Sequence, residues 1–309
     1  MKISRRWMSF HGSPIPPLSQ SRDAARKKVT IQTLHNLHAS KTPLTMLTAY
    51  DYPTALACSS SPLIDITLVG DSLAQVCLGY SSTTQLTLNE MIHHTRAVAR
   101  GTTHPFLVAD MPFGTYHSSE VAVDNAARMV REAQVDGVKL EGGKEVATVV
   151  ERLTSLGIPV MGHVGLLPQR HSAMSGYRVQ GRTADAARRV LRDALALQEA
   201  GVFAVVVEAV PKELGKYLTE KLSIPTIGIG AGPWTSGQVL VFDDAMGTWT
   251  GHKPKFARRF AELKAVRDGG VHRYAEAVKL GHFPDLEEES YSMDQEEWNR
   301  FLKVEGSID

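Results

Sequence analysis

Short apolar runs recur along this chain, and several run directly into one acid or histidine. Ile66-Thr67-Leu68-Val69-Gly70 ends at Asp71, Phe106-Leu107-Val108-Ala109 at Asp110, and Gly137-Val138-Lys139-Leu140 at Glu141. Ile158-Pro159-Val160-Met161-Gly162 ends at His163, and Ala204-Val205-Val206-Val207 at Glu208. Runs of this length between helical stretches predict buried parallel strands in βα units. Strands are expected near 44–49, 64–69, 106–109, 137–140, 159–162, 203–207, 225–229 and 239–242. Helical periodicity is expected over 30–37, 88–100, 119–134, 144–156, 185–200 and 211–222. Asn89-Glu90 and Ser118-Ser119-Glu120 supply helix-start chemistry, and Gly101, Gly137, Gly157 and Gly201 fall where helices should stop. About eight strands alternating with helices predict a (β/α)8 barrel of the α/β class. An open doubly wound sheet is the competing architecture. The barrel is preferred because polar residues end many strands instead of clustering at one switch point.

Composition narrows the classes. The 309 residues carry a net charge of +1, with 43% hydrophobic and 22% charged positions. That balance gives no field for nucleic acid. No apolar run approaches the roughly 20 residues of a membrane span. Cys58 and Cys77 are too few for a disulfide framework and read as small buried hydrophobes.

Residues 1–28 form a basic leader whose one acid is Asp23. Basic, serine-containing and acid-poor is the composition of a mitochondrial transit peptide, and equally of a basic tail with no targeting value. The barrel is assigned to 29–284. Residues 285–309 form an acidic C-terminal extension, read as a solvated tail in which Trp298, Phe301 and Leu302 can make an amphipathic turn.

Chemistry concentrates at the strand ends. Asp71, Asp110 and Glu141 converging in one cleft repel one another unless a cation neutralises them. Carboxylates without cysteine suit Mg²⁺. Each acid alone reads equally as a cap on the following helix. Ser72 can bind an anion or cap a helix. Lys139 shares a strand face with Glu141, so it pairs with that acid or with a substrate carboxylate. His163, between Gly162 and Gly165, is either a packed histidine or a site residue. Glu208 follows three valines, a wall that raises a carboxyl toward the range of a general base; a cap or ion-pair role is its alternative. His35 and His38 sit on the expected floor helix and read as surface histidines. Gly228-Ile229-Gly230-Ala231-Gly232 is a weak phosphate-loop signal. A Mg²⁺ site, a cation for a carboxylate and a carboxylate base together suit enolisation of a 2-oxo acid.

Several segments in order resemble the ketopantoate hydroxymethyltransferase family. They are Val69-Gly70-Asp71-Ser72-Leu73, Ala109-Asp110-Met111-Pro112-Phe113, Val138-Lys139-Leu140-Glu141-Gly142-Gly143 and Gly162-His163-Val164-Gly165-Leu166-Leu167-Pro168-Gln169. Tyr177-Arg178-Val179-Gln180-Gly181-Arg182 and Ile227-Gly228-Ile229-Gly230-Ala231-Gly232 complete the set. The resemblance implies a (β/α)8 barrel that uses Mg²⁺. It implies hydroxymethyl transfer from 5,10-methylenetetrahydrofolate to 3-methyl-2-oxobutanoate through a Mg-stabilised enolate. The product is 2-dehydropantoate, for pantothenate and coenzyme A synthesis. On that pattern Asp71 and Asp110 hold the metal and meet the substrate, with Glu141 nearby and acting through water. Ser72 and Lys139 grip the substrate carboxylate, Glu208 transfers the proton and His163 lines the site. A homo-oligomer, often a decamer, is implied, and the basic leader suits a eukaryotic mitochondrial form. Tyr80, Asp243 and the bulky Thr248-Trp249-Thr250-Gly251-His252 turn depart from the pattern, around the pterin pocket and subunit contacts. Two rivals are a Mg²⁺ lyase or mutase of the isocitrate lyase type and a non-catalytic metabolite-binding barrel. A reactive cysteine loop would favour the lyase, and none is present near these motifs.

Overall fold

A computed structural model describes residues 26–251 and 253–306. The strands are β1 (Leu44–Thr48), β2 (Ile66–Val69), β3 (Phe106–Asp110), β4 (Gly137–Glu141), β5 (Val160–Gly165), β6 (Ala204–Glu208), β7 (Thr226–Ile229) and β8 (Gly237–Leu240). They pair in chain order, all parallel, and β8 returns to β1 to close a barrel. The expected (β/α)8 architecture is therefore present. The predicted strand at 239–242 lies two residues earlier. Val241 and Phe242 leave the ladder, where the Phe242 N–H is taken by Thr48 Oγ1 at 2.8 Å.

Alternation along the strands builds two cores. Leu44, Met46, Ile66, Leu68, Phe106, Val108, Met161, Ala204, Val206, Ile227 and Val239 fill the barrel interior. The residues between them, among them Val69, Leu107, Ala109, Val138, Leu140, Val164, Val205 and Val207, pack against the surrounding helices. Burial on both faces explains the near-continuous apolar runs.

The helices are α1 (Ile31–Ala39), α2 (Tyr52–Ser60), α3 (Leu73–Val76), α4 (Leu88–Gly101), α5 (Ser119–Ala133), α6 (Ala147–Ser155), α7 (Ala184–Glu199) and α8 (Lys212–Lys221). After the barrel come α9 (Phe242–Met246), α10 (Leu263–Lys279) and α11 (Gln295–Glu305). Thr30 caps α1 in a reciprocal pair with Thr33, and Leu34 of α1 is fully buried in the barrel floor. His35 is not simply a surface histidine: its Nε2 lies 3.3 Å from the Phe203 carbonyl oxygen. The helix α2 has no counterpart among the predicted elements; Asp51, Thr54 and Pro53 give its N-terminal turn a capping box and a proline. The α4 start belongs to Thr87, which pairs reciprocally with Glu90. Gly157 and Gly201 end their helices at φ 81° and 92°. Gly101 is the last residue of α4 and also serves packing: a Cβ there would lie 2.8 Å from both Ala55 Cβ and Tyr52 O.

Residues 1–25 of the expected leader lie outside the described residues. Arg26 and Lys28, also assigned to it, belong to the barrel. Arg26 Nη2 meets Asp65 Oδ1 at 2.9 Å, and Lys28 Nζ meets Asp136 Oδ2 at 2.6 Å.

Two compact units divide the chain. The first ends at Phe242 and adds Pro254–Ala257; the second comprises Asp243–Lys253 and the chain from Arg258 onward. This division falls inside the 29–284 span assigned to the barrel from sequence. The helix α10 has the length of a barrel-wall helix, but no residue on it is buried. In the second unit Phe260 N donates to Ala245 O, and α11 stacks Trp298 on Phe301.

Candidate active site

Strand parity aims the functional side chains. Counting every second residue inward from Phe106 and Val108 reaches Asp110. The same count reaches Lys139 and Glu141 on β4, His163 after Met161 on β5, and Glu208 after Ala204 and Val206 on β6. Register brings them side by side: Asp110 opposes Lys139, Glu141 opposes His163, and Gly165 opposes Glu208. Asp71 lies just past β2, where its backbone N–H donates to Asp110 Oδ2 at 3.0 Å.

All of the sequence-selected residues meet at this end of the barrel. Lys139 Nζ sits 2.5 Å from Asp110 Oδ1 and 3.4 Å from His163 Nδ1. His163 Nδ1 lies 3.8 Å from Glu141 Oε1, and Nε2 lies 3.2 Å from Glu208 Oε2. Asp71, Asp110, Lys139, Glu141 and His163 are at most 5% exposed, and Glu208 is partly open. Asp110 Oδ1 meets Lys139 as an ion pair and His163 Nε2 stands beside Glu208 as a neutral ring, and neither buried atom has an aligned hydrogen bond. Ser72 makes no side-chain cap on α3; its hydroxyl shares a 2.7 Å hydrogen bond with Tyr50 OH. Gly70 is required beside it, since a Cβ there would lie 2.9 Å from Ser72 Oγ.

Lys139 pairs with Asp110 more closely than with Glu141, the partner its sequence spacing offered. One ammonium faces the carboxyls of Asp71, Asp110 and Glu141. Burial pushes Asp71 up to about 7, reinforced by Asp110 and opposed by Lys139 and the Gln169 hydrogen bond. Burial, then Asp71, raises Glu141 well above the carboxylate range. Burial, then Lys139, lowers His163, so its ring is held neutral. Burial alone would lower Lys139, but Asp110, Glu141 and Asp71 outweigh it and keep the ammonium charged.

Gln169 organises this centre and received no role from sequence. Its Nε2 donates to Asp71 Oδ2 at 2.8 Å and to Met111 O at 3.0 Å. Its backbone N–H donates to Glu141 Oε2 at 3.0 Å, and its Oε1 accepts from Tyr116 OH at 2.5 Å. Gln169 has no periodic or strand-end signal; it sits in a 3-10 turn opened by Pro168. Tyr116 and Tyr50 were missed for the same reason. Of the departures, Tyr80 OH donates to Glu90 at 2.5 Å, and Asp243 accepts from the Thr248 hydroxyl.

Among the described residues, no three Asp, Glu, His or Cys side chains form a ready-made metal cluster. The donor set still fits a hard divalent ion. Mg²⁺ uses one or two carboxylates and fills its remaining positions with water or substrate. Asp71 and Asp110 are adjacent and oxygen-only, and the single Lys139 ammonium on Asp110 is shared with Asp71 and Glu141. Glu141 is set back behind Gln169.

The family is given by comparison with known proteins. The family model described as ketopantoate hydroxymethyltransferase matches residues 28–286. The 3-methyl-2-oxobutanoate hydroxymethyltransferase of Emericella nidulans is 47% identical over 291 residues, 93% of this chain and 83% of its own. That of Thermus thermophilus is 48% identical over 258 residues, 84% of this chain and 98% of its own. Among solved structures, phosphonopyruvate hydrolase with oxalate and Mg²⁺ superposes with a TM-score of 0.55, over 90% of this chain and 98% of that one. At 13% identity that likeness concerns the fold alone.

Proposed function

This chain belongs to the ketopantoate hydroxymethyltransferase family, and from that premise we propose that it converts 3-methyl-2-oxobutanoate to 2-dehydropantoate with 5,10-methylenetetrahydrofolate as one-carbon donor. The observation that carries the reading is the buried line Asp110–Lys139–His163–Glu208, with Asp71 and Glu141 beside it. It combines a cation for a carboxylate with a carboxylate that can take a proton.

Asp71 and Asp110 would hold Mg²⁺, with Glu141 as an outer partner. When bound, that ion supplies a Lewis acid for the keto and carboxylate oxygens of the 2-oxo acid. Lys139 and Ser72 orient the substrate carboxylate through charge and a hydroxyl donor. Glu208 removes the C3 proton, and the neutral His163 ring holds its carboxylate in place. The C–H electron pair becomes that of the enolate. Water breaks the two C–N bonds of the donor's methylene, its protons going to the nitrogens, so that tetrahydrofolate leaves and the carbon is released at the formaldehyde level. The enolate C3 bonds to that carbonyl carbon, and the proton held by Glu208 passes to the resulting alkoxide. The product would feed pantothenate and coenzyme A synthesis.

Protein supplied with Mg²⁺ should exchange the C3 proton of 3-methyl-2-oxobutanoate for deuterium without folate, as read by NMR. Glu208→Gln should slow exchange by about 10²-fold or more while substrate still binds. Absence of exchange in the wild type would sink the enolisation step; unchanged exchange in Glu208→Gln would move the base elsewhere. The basic leader supports a mitochondrial destination. A fluorescent fusion of residues 1–28 would test it, and diffuse signal would count against it.

A further inference from the structure

Ser72 opens α3 without capping it, so its hydroxyl is oriented from outside its own helix. The group that meets it is the Tyr50 phenol, whose oxygen lies 2.7 Å from Ser72 Oγ. Proton transfer by Glu208 gives that tyrosine no role. Yet Tyr50 is only 2% exposed, and burying a phenol calls for a partner for its hydroxyl.

The Tyr50 backbone is fixed on both sides. The preceding Ala49 N–H donates to Leu68 O at 2.9 Å and carries the β1–β2 pairing one residue further. Tyr50 N–H donates to Thr54 Oγ1 of α2 at 3.0 Å. His94 Nδ1 of α4 lies 2.7 Å from Tyr50 O. A carbonyl only accepts, so that nitrogen carries the proton. One turn before His94, Glu90 accepts from Tyr80 OH at 2.5 Å and from Thr87 Oγ1 at 2.7 Å. The phenol therefore reaches Ser72 from a frame built by α2 and α4.

A count of protons sets the direction of the Tyr50–Ser72 bond when substrate is present. A hydroxyl has one proton to donate and lone pairs that accept, whereas a carboxylate only accepts. A Ser72 hydroxyl that donates to a substrate carboxylate has no proton left for Tyr50. Its oxygen must then accept, and Tyr50 OH must donate. Hydrogen bonds in such a chain strengthen one another.

We propose that Tyr50 is a positioning residue for substrate binding: its phenol donates to Ser72 Oγ and so aims the Ser72 proton at the carboxylate of the 2-oxo acid. This rests on the reading that Ser72 meets that carboxylate. Tyr50 acts through Ser72, so its removal should weaken binding and leave proton abstraction by Glu208 intact.

The test is Tyr50→Phe, which keeps the ring and removes only the oxygen. Calorimetry in the presence of Mg²⁺ should show the Kd for 3-methyl-2-oxobutanoate rising about fivefold, the effect of one modest hydrogen bond. The rate of C3 exchange at saturating substrate should stay within about twofold of the wild type, because uniform binding is lost and not transition-state binding. Ser72→Ala should raise Kd at least as far. Adding Tyr50→Phe to Ser72→Ala should raise it no further, since residues acting through one contact are not additive. Mn²⁺ affinity of Tyr50→Phe without substrate should equal that of the wild type. A wild-type Kd in Tyr50→Phe would overturn the proposal. So would an equal further loss in the Ser72→Ala background, which would make Tyr50 a packing residue. Weakened Mn²⁺ binding would overturn it too, by assigning the phenol to the metal ligands. A wild-type Kd in Ser72→Ala would instead remove the reading of Ser72 and the proposal with it. That result is distinct from a neutral Tyr50→Phe beside a damaged Ser72→Ala.

Discussion

At the scale of the residue, legibility followed geometry. Asp110, Lys139, Glu141, His163 and Glu208 were readable because strands alternate and each lies on the inward parity of an apolar run. Gln169 was not, because a turn residue's target depends on how the chain folds back. It spans Asp71, Met111, Glu141 and Tyr116 with four hydrogen bonds. Gln169→Leu should leave Asp71 Oδ2 unpaired and Tyr116 OH with only the Glu141 carbonyl oxygen at 3.3 Å, and cost about 1–3 kcal/mol in urea unfolding. Partners that orient metal ligands change affinity by roughly 10–100-fold when removed, so Mn²⁺ binding followed by electron paramagnetic resonance should weaken to that extent. Tyr116→Phe should weaken it less. Unchanged Mn²⁺ affinity in Gln169→Leu would refute an organising role. Lys139→Met should be harsher, since it strands Asp110 beside Asp71 without a cation and costs about 3–5 kcal/mol.

At the scale of the element, the strands were legible and the turns between them less so. The helix α2 escaped notice because its apolar face is weakly periodic, and only its capping chemistry marks it. Gly101 ends α4 as its position suggested, and the close approach of α4 to α2 there was not legible. Gly101→Ala should force two backbones apart and cost about 1–3 kcal/mol in urea unfolding; a neutral result would show that the pair yields freely. The barrel floor gives a pH signature. His104 is buried near Arg26 and Lys28, and burial, then Arg26, lowers its pKa. The unfolded histidine binds a proton near pH 6.5, whereas the folded one resists it until lower pH. The unfolded state therefore holds more protons in that window, and stability falls as pH drops from about 6.5 through the lowered value. His38 is shifted in the same direction. A Tm series from pH 8 to 5 should decline at the acid end, and His104→Gln should flatten part of the decline. A curve unchanged by the substitution would remove His104 from the account.

At the scale of the whole molecule, the two units differ in what they bury. Barrel closure and the site follow from period-two strands and were legible from sequence. The exposure of α10 was not, because helical length says nothing about whether a helix has a partner. No residue of α10 or α11 is buried. Val266, Val271, Tyr274, Trp298, Phe301 and Val304 stand exposed on them, together with Phe260 and Leu286 in the flanking segments. Apolar exposure on this scale marks an interaction surface. A second copy of this chain is the occupant that a mass measurement tests directly, since like chains pair through self-complementary patches. Light scattering on the full chain should therefore return a multiple of the monomer mass that falls on dilution only at low concentration. Placing Glu at Val271 and Tyr274 together should shift the mass toward the monomer. The barrel carries the chemistry within one chain, so C3 exchange by that double variant should survive dissociation. A monomeric wild type would leave the α10 and α11 faces to some other partner. An oligomer indifferent to both substitutions would place the subunit contact on the barrel.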